Sequence, residues 1–459
     1  MPLDPAAGDI AWAIFKAYDV RGIVPDQLDE DLARATGGAF VTETGAETVV
    51  VGYDMRPSSP ALSQAFSEGA AAAGADVVQI GLCSTDGLYF ASGHLDHPGA
   101  MFTASHNPAQ YNGIKMCRAG AQPIGLESGL AEIRDGALAG DTPEAAQPGT
   151  ITQVDLLEAY VAHLLSLAPV RGRPLKVVVD AGNGMAGLTA PAVFEAIGAE
   201  QAELVPMYFE LDGTFPNHEA NPLEPANLVD LQARVVAEAA DIGLAFDGDA
   251  DRCFVVDEQG DAVSPSTLTA LIAARELARD PGAKVIHNLI TSRAVPEIVT
   301  ELGGTPVRTR VGHSYIKATM AETDAIFGGE HSAHFYFRDF WRADSGMLAA
   351  LHTMAALAET DRPMSALGAE YQRYVLSGEI NSTVDDAGAI AAEIEAAYAG
   401  LVGVEIDHLD GLTVSTSDWW FNVRSSNTEP LLRLNAEGKD RETMERVRDE
   451  VLAHIRRLR

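Results

Sequence analysis

The stretch TVVVGYDMRPSSPALSQAFSEGAAAAGADVVQI, residues 48–80, decides the fold class of this chain. Residues 48–51 are a short run of β-branched side chains ahead of a loop, which is typical of a buried strand. The loop at 52–58 is rich in Gly, Asp, Pro and Ser, and residues 59–73 have the apolar spacing of an amphipathic helix. A second strand follows at 76–80, so the stretch predicts one strand–helix–strand unit.

The same unit recurs twice further along the chain. One copy has a strand at 175–179, a loop at 180–187, a helix to residue 197 and a strand near 202–205. The other has a strand at 284–287, a loop at 288–292, a helix to residue 302 and a strand at 305–308. Three such units predict three α/β domains, whose ligands bind in the loops beyond the carboxyl ends of the strands.

The pattern changes after about residue 367. A helix at 387–399 lies among short strands, including 420–423 and 431–434, which predicts a fourth, smaller α+β domain. The Gly-, Pro- and Ala-rich residues 137–149 are interpreted as a linker, and 257–261 as a turn near a second junction. We therefore place the four domains at 1–150, 151–257, 258–368 and 369–459.

Composition excludes several classes of protein. A chain of 459 residues is too long to fold around a single compact core. Its 47% apolar and 21% charged residues are typical of globular proteins. A mean hydropathy of +0.01 excludes a polytopic membrane protein. The first residues lack the basic-then-apolar order of a signal peptide, so we expect a cytoplasmic location. Cys83, Cys117 and Cys253 are far apart, which predicts reduced thiols rather than a disulfide framework or a zinc site.

The net charge of −34 argues against polyanionic partners, because the field of the whole protein repels nucleic acid and anionic lipid. Lysine is scarce in this chain, with only six residues. Three of them, Lys16, Lys115 and Lys317, fall in segments with other chemical features. An acidic protein that places its few lysines in such segments is expected to collect a small anion.

The first chemical motif is Met101-Phe102-Thr103-Ala104-Ser105-His106-Asn107-Pro108, at the predicted end of a strand. One interpretation is a capped turn, in which Ser and Asn satisfy backbone donors. A serine at the carboxyl end of a strand is also well placed as a nucleophile or phosphate carrier, because loop N–H groups can hold oxygens. Lys115 follows ten residues after Ser105, in the next predicted strand, 112–116.

The sharpest motif is the acidic turn Asp247-Gly248-Asp249-Ala250-Asp251-Arg252, between apolar strands at 242–246 and 253–256. A solvated turn is the alternative, but strands on both sides pin the three carboxylates together, where they repel each other unless a cation is present. Mg²⁺ is the ion expected in a phosphate site. An EF-hand is rejected, because Arg252 stands where that loop needs Gly and the flanks are strands.

Two polar segments follow strands of the third unit, at 310–317 and 328–334. Each alone is compatible with a polar turn and a helix cap. Together they place Glu, Ser, His and Lys in neighbouring loops, a set suited to reading sugar hydroxyls.

A last loop, Arg424-Ser425-Ser426-Asn427-Thr428-Glu429-Pro430, offers a guanidinium beside small hydrogen-bonding side chains. Ser426 to Glu429 also fits a helix capping box. The following residues alternate like a strand, which favours a phosphate cradle. Near the N-terminus, residues 16–22 add two cations, Lys16 and Arg21, around Tyr18.

With these motifs in order, the chain strongly resembles the α-D-phosphohexomutase superfamily, and within it the bacterial phosphomannomutase/phosphoglucomutase group. Residues 103–108 look like the family's phosphoserine loop and 247–252 like its metal loop. Residues 329–334 are similar to its sugar-specificity loop, and the segment from Arg424 to the phosphate loop of its last domain. The resemblance implies four domains around a central cleft, three of one α/β kind and a fourth that is TATA-binding-protein-like.

The resemblance also implies a set of site residues. Catalytic roles fall on Ser105, His106, Lys115, Arg21 and Arg252. One Mg²⁺ would be bound by Ser105, Asp247, Asp249 and Asp251. Substrate contacts fall on Lys16, Tyr18, His313, Lys317, Glu330, Ser332, His334, Arg424, Ser426, Asn427 and Thr428.

The implied reaction converts hexose 1-phosphate to hexose 6-phosphate and back, through phosphorylated Ser105 and an enzyme-bound hexose 1,6-bisphosphate. Two rivals remain, a metal-dependent sugar phosphatase and a catalytically silent sugar-phosphate-binding protein. The loop at 329–334 is closer to that of the mannose/glucose group than to that of the glucosamine branch, which usually carries Gln before the Ser. Ala333 stands where Gly is more usual, which predicts a more restricted backbone there. Oligomeric state stays open.

Overall fold

The computed structural model describes residues 12–140, 145–425 and 431–457, without the side chains of His313 and Ser314. The chain divides into two compact units. The first comprises residues up to Pro265 together with Ser332–Ser365, and the second comprises Ser266–His331 together with the residues after Ser365. Within the described ranges, no helix combines the length and apolar character needed to cross a membrane.

Strands and helices alternate through most of the chain. The strands are β1 (Val20–Ile23), β2 (Thr48–Tyr53), β3 (Asp76–Leu82), β4 (Gly99–Phe102), β5 (Tyr111–Arg118), β6 (Gln122–Pro123), β7 (Ile151–Gln153), β8 (Leu175–Asp180), β9 (Ala202–Met207), β10 (Ile242–Phe246), β11 (Cys253–Asp257), β12 (Ala262–Val263), β13 (Lys284–Asn288), β14 (Thr305–Thr309), β15 (Phe327–Gly329), β16 (Phe335–Phe337), β17 (Ala343–Asp344), β18 (Val375–Thr383), β19 (Glu405–Asp407), β20 (Leu412–Ser415), β21 (Trp419–Ser425) and β22 (Leu431–Gly438). The α-helices are α1 (Glu30–Thr44), α2 (Ser59–Ala72), α3 (Thr85–Leu95), α4 (Leu130–Ala139), α5 (Leu157–Leu167), α6 (Ala186–Ile197), α7 (Val229–Glu238), α8 (Pro265–Arg279), α9 (Ala294–Glu301), α10 (His313–Thr323), α11 (Gly346–Ala358), α12 (Met364–Ala369), α13 (Ala387–Tyr398) and α14 (Arg441–Arg457).

The first sheet of the first unit has the order β1-β5-β4-β2-β3-β7, and β6 pairs with β5. Its central strand β2 runs parallel to β3 and β4. Val49 and Val51 belong to one core cluster, whereas Val50 belongs to a second cluster with Leu88 and Met101. Both faces of β2 are therefore covered, which is why the strand is a continuous apolar run instead of an alternating one.

The second sheet has the order β12-β11-β10-β8-β9 and also lies in the first unit. Strands β8, β9 and β10 are parallel, and β10 pairs with β11 as an antiparallel hairpin. All five residues of β10 and all five of β11 are buried. The hairpin that carries the acidic turn is thus held inside the sheet, as the apolar flanks predicted.

In the second unit, β13 runs parallel to β14 and to β15. The C-terminal sheet of this unit has the order β18-β22-β21-β20-β19, and every neighbouring pair is antiparallel. Its core joins Val414, Phe421 and Leu434 of the sheet to Ile394 of α13 and Val451 of α14.

The three predicted strand–helix–strand units and the helix predicted at 387–399 are confirmed to within a few residues. The predicted linker at 137–149 overlaps the end of α4, which continues to Ala139, and the strand β7 that follows the linker pairs with β3. The alanines of the linker have high helix propensity, which explains why part of this small-residue stretch is helical. Arg424 differs from the prediction, since it lies in strand β21 and not in a loop.

Candidate active site

Ser105 lies in a tight turn after β4. Its backbone has φ of +50°, a left-handed conformation that non-glycine residues adopt rarely and that tends to mark functional sites. Its N–H donates to Thr103 Oγ1 at 2.9 Å, which stabilises this turn. The side chain is buried, and Ser105 Oγ donates to Asp247 Oδ2 at 2.8 Å. The serine of the first motif is therefore in contact with the acidic turn of the second.

The acidic turn brings its three carboxylates together. Asp247, Asp249 and Asp251 are all buried, and each offers an oxygen within 4.8 Å of the others. Gly248 is required here, because a Cβ at this position would lie 2.4 Å from the carbonyl oxygen of Ser105. The close approach of the two loops thus depends on a residue without a side chain.

Two cations neutralise this cluster. Lys115 Nζ lies 2.7 Å from Asp249 Oδ2 and 2.6 Å from Asp251 Oδ2. Arg252 is buried, and its Nε donates to Asp247 Oδ2 at 2.9 Å. Each buried carboxylate therefore has a positive partner within ion-pair distance.

The surroundings change the pKa values of these groups in opposite directions. Burial raises the pKa of Asp247 to about 7, although Arg252 opposes the shift. Burial also acts on Asp249, but Lys115 outweighs it and holds the pKa of Asp249 well below its usual range. Burial and then Arg252 lower the pKa of His106 well below its usual value, and its Nδ1 lies 3.2 Å from Ser105 Oγ. Ser105 is thus flanked by a neutral imidazole.

The three aspartates fit a divalent cation. Asp249 Oδ1 and Asp251 Oδ1 are buried, and they have no hydrogen-bond partner among the described residues. Buried carboxylate oxygens are normally paired, so both oxygens have ligand capacity left over. An all-oxygen set of carboxylates and a hydroxyl is the donor set that Mg²⁺ prefers.

His334 adjoins the same cluster in the first unit. Its backbone pairs with that of Arg252 as an isolated bridge, and its Nδ1 lies 2.9 Å from Asp344 Oδ2. Burial lowers the pKa of His334, but Asp251 and Asp344 outweigh burial and raise it. Ala333 has φ of +66°, a left-handed conformation that glycine adopts more readily than alanine.

Arg21 is the N-terminal residue that reaches the serine turn. Its Nη1 donates to Asn107 Oδ1 and, at 3.4 Å, to the carbonyl of Ala104. Lys16 is exposed and Tyr18 is half-buried, in the turn that precedes β1. Arg21 therefore contacts the loop around Ser105 directly.

Other predicted residues belong to the second unit. Glu330 is buried, and its Oε2 accepts from Asn288 Nδ2 at 3.1 Å and from the Gly312 N–H at 3.4 Å. Lys317 is buried on α10. Arg424 Nη2 pairs with Glu379 Oε2 at 3.2 Å.

Ser426, Asn427 and Thr428 lie outside the described residues, and so does the His313 side chain. Ser332 is half-buried and lies in the first unit.

Four residues were missed by the sequence analysis. Thr85, at the start of α3, donates its hydroxyl to Asp249 Oδ2 at 2.6 Å. Asp86 accepts from Tyr160 and Ser345, and burial raises its pKa to about 6. Arg56 and Asp54 form a buried ion pair in the loop after β2. The sequence did carry a signal for this pair, because its loop follows the first strand of a predicted strand–helix–strand unit, and ligand-binding loops gather at the carboxyl ends of such strands.

Comparison with known proteins gives matches along most of the chain. Family models described as phosphoglucomutase/phosphomannomutase alpha/beta/alpha domains I, II and III match residues 13–142, 158–260 and 264–374. The model of the same family's C-terminal domain matches residues 379–454. The predicted order of three α/β domains and a smaller C-terminal domain is thereby confirmed.

Similar proteins match over nearly their whole length. Phosphohexose mutases of Xanthomonas campestris pv. campestris are 43% identical over 449 residues, which is 96% of this chain and 99% of theirs. A phosphomannomutase of Salmonella montevideo is 42% identical and covers 93% of this chain and 94% of its own. The crystal structure of a phosphoglucomutase/phosphomannomutase family protein from Burkholderia thailandensis matches with a TM-score of 0.88, 35% identity and 97% of each chain.

Proposed function

The chain belongs to the phosphoglucomutase/phosphomannomutase family, and we propose that it interconverts hexose 1-phosphates and hexose 6-phosphates through a phosphoryl group carried on Ser105. The observation that supports this most directly is the 2.8 Å contact between Ser105 Oγ and Asp247 Oδ2 inside a buried acidic cluster. A hydroxyl in that position is set for exchange of a phosphoryl group beside a cation site.

In the first half of the reaction, a sugar hydroxyl attacks the phosphorus on Ser105. The bond from phosphorus to Ser105 Oγ breaks, a bond to the sugar oxygen forms, the hydroxyl proton passes to a general base, and a general acid protonates Ser105 Oγ. The product is an enzyme-bound hexose 1,6-bisphosphate. After the bisphosphate turns around, its other phosphate returns to Ser105 by the reverse steps.

His106, as a neutral imidazole, is proposed as the general base and Lys115, as a cation, as the general acid, because both border the serine and its acidic partners. Arg21 and Arg252 would stabilise the charge of the transferring group. Held by Asp247, Asp249, Asp251 and a phosphate oxygen on Ser105, a Mg²⁺ ion would supply further positive charge to the phosphoryl oxygens. These residues need only position charges, since phosphoryl transfer requires little covalent chemistry from the protein.

Substrate recognition is proposed for polar residues outside the acidic cluster. Glu330, Ser332 and His334 would read sugar hydroxyls, with Lys317, His313, Lys16 and Tyr18 as further contacts. Arg424, Ser426, Asn427 and Thr428 would hold the phosphate that is not transferred. Because either end of the sugar can be the reacting one, this cradle must accept both phosphates in turn.

A coupled assay tests the proposal. Mannose 1-phosphate and glucose 1-phosphate are each supplied with Mg²⁺ and a catalytic amount of hexose 1,6-bisphosphate, and formation of hexose 6-phosphate is followed. We expect turnover of one or both sugars, and loss of it in Ser105→Ala. Release of inorganic phosphate without hexose 6-phosphate would instead indicate a phosphatase. Peptide mapping of the active protein should find phosphate on Ser105, and full activity without it would contradict the proposal.

A further inference from the structure

Arg56 makes an unusual set of contacts with the backbone of the serine loop. Its Nη1 donates to the carbonyls of Pro108 and Tyr111, both at 2.9 Å. Its Nη2 donates to the carbonyls of Ser105, at 2.9 Å, and Asn107, at 2.7 Å. A single guanidinium thus ties together three carbonyl oxygens of the serine loop and that of Tyr111, the first residue of β5, although it enters from a different loop, after β2.

The guanidinium is fixed from its other side as well. Arg56 Nε lies 3.3 Å from Asp54 Oδ2, and both side chains are fully buried. Asp54 is itself held by the Ser59 hydroxyl at 2.6 Å and by the Arg56 N–H at 3.0 Å. Since a buried ion pair contributes little net stability compared with apolar residues, its presence calls for a role besides stability.

A loop from the second sheet covers Arg56. The Phe215 ring centroid lies 5.2 Å from Arg56 Cζ, within cation–π distance. Gly213 packs so closely that a Cβ there would lie 2.6 Å from Arg56 Cα. Arg56 is therefore packed between the serine loop and the loop that follows β9.

We infer that Arg56 is a positioning residue for phosphoryl transfer, which holds Ser105 in its left-handed conformation with Oγ directed at Asp247. The Ser105 backbone, at φ of +50°, is unfavourable for a serine and persists only where its surroundings enforce it. Arg56 can hold this conformation, because it binds the carbonyls of Ser105, Asn107 and Pro108 in the loop and that of Tyr111 at the start of β5. The inference rests on the proposed role of Ser105 as phosphoryl carrier.

The chemistry of the side chain gives the inference its test. A guanidinium presents five N–H donors in one plane, whereas the lysine ammonium has three donors on a flexible chain. Arg56→Lys therefore keeps the charge beside Asp54 but cannot reproduce the four-carbonyl contact. Arg34→Lys is the matched control, since Arg34 also binds a carboxylate, Glu68, and a carbonyl, that of Ala65, but at the surface.

The experiment uses full-length protein freed of serine phosphate. The rate at which hexose 1,6-bisphosphate phosphorylates Ser105 is followed by quenched intact-mass measurement, together with steady-state kcat and KM, and with amide hydrogen exchange across residues 103–111. We expect hexose 1,6-bisphosphate to phosphorylate Ser105 roughly 100-fold more slowly in Arg56→Lys than in the wild type, because a small misplacement of a reacting group slows transfer by about this factor. KM for hexose phosphate should stay within about twofold, because Arg56 is fully buried and its guanidinium donates to backbone carbonyls, while exchange in the loop accelerates. Arg34→Lys should behave as wild type.

The outcomes separate the inference from the proposed function. If the wild type is not phosphorylated at Ser105, the proposed function fails and the inference with it. If the wild type is phosphorylated and folded Arg56→Lys matches its rate, Arg56 has a structural role only and the inference is overturned. Should Arg56→Lys not fold, Phe215→Leu replaces it as the test. Phe215→Leu keeps the guanidinium of Arg56 but removes the aromatic ring that packs over it. This variant should be phosphorylated at Ser105 roughly fivefold more slowly than the wild type. An unchanged rate would overturn the inference.

Discussion

Replacing Lys115 by methionine removes the cation that bridges two aspartates. Lys115 Nζ lies 2.7 Å from Asp249 Oδ2 and 2.6 Å from Asp251 Oδ2, and its side chain is 15% exposed, whereas those of the two aspartates are 0% and 1% exposed. Burial lowers the pKa of Lys115, but the two carboxylates outweigh it and hold the pKa well above its usual value. The lysine is therefore a permanent cation on which both acids depend.

The structure sets the size of the effect. Removing one partner of a buried ion pair costs about 3–5 kcal/mol of unfolding free energy, because the other charge stays buried and unpaired. Thr85 still donates to Asp249 in Lys115→Met. One carboxyl can also take up a proton once the lysine is gone. We therefore expect a loss near the lower limit, about 3 kcal/mol in the absence of divalent cations.

Urea unfolding of the full-length protein measures this loss, once with chelator and once with excess Mg²⁺. A cation bound by the same aspartates stabilises the folded state by mass action. Mg²⁺ should therefore raise the unfolding midpoint of Lys115→Met more than that of the wild type. Lys176→Met is the control, since Lys176 forms a surface pair with Glu238 at 2.8 Å and its loss should shift the midpoint far less.

Two results would refute this reasoning. The first is a loss in Lys115→Met no larger than that in Lys176→Met, which would mean that burial does not strengthen the pair. The second is an equal Mg²⁺ effect on wild type and variant, which would mean that the ion does not bind the two aspartates that Lys115 contacts.

Further expectations concern other parts of the site. Asp249→Asn should leave the circular dichroism spectrum unchanged, because its amide oxygen can still accept from Thr85, and should cut kcat by orders of magnitude in a steady-state assay. Burial raises the pKa of Asp86 from 3.8 to about 6, so its contribution to stability is complete below pH 3.8 and is lost as pH rises through about 6. At 1.36 kcal/mol per pH unit this loss is about 3 kcal/mol, and Asp86→Asn should flatten that part of the urea-midpoint profile; an unchanged profile would contradict the assignment. Gly248→Ala should lower the kcat roughly 100-fold, since its Cβ would meet the Ser105 carbonyl at 2.4 Å and displace that loop; wild-type kinetics would show that the loops can separate without loss.

The sequence by itself determined the elements and the chemical character of their loops. Runs such as 48–51 and 175–179 become buried strands because side-chain pattern and β-propensity act over a few neighbouring residues. The acidic turn at 247–251 was recognisable for the same reason, since its three carboxylates and both apolar flanks are contiguous in the chain. Features of this kind can be predicted because the physics that produces them is local.

The tertiary structure alone decided which charges meet. Lys115 finds Asp249 and Asp251 across 134 and 136 residues of chain, and Arg56 reaches the carbonyl of Ser105 across 49. Neither contact has a local pattern, because the partners come together only after separate strands have been placed in their sheets and the loops at their ends have packed. The pKa values of Asp247 and Asp86 depend in the same way on burial and on distant partners. A side chain's charge and contacts belong to its surroundings in space, and one local stretch of sequence does not specify those surroundings.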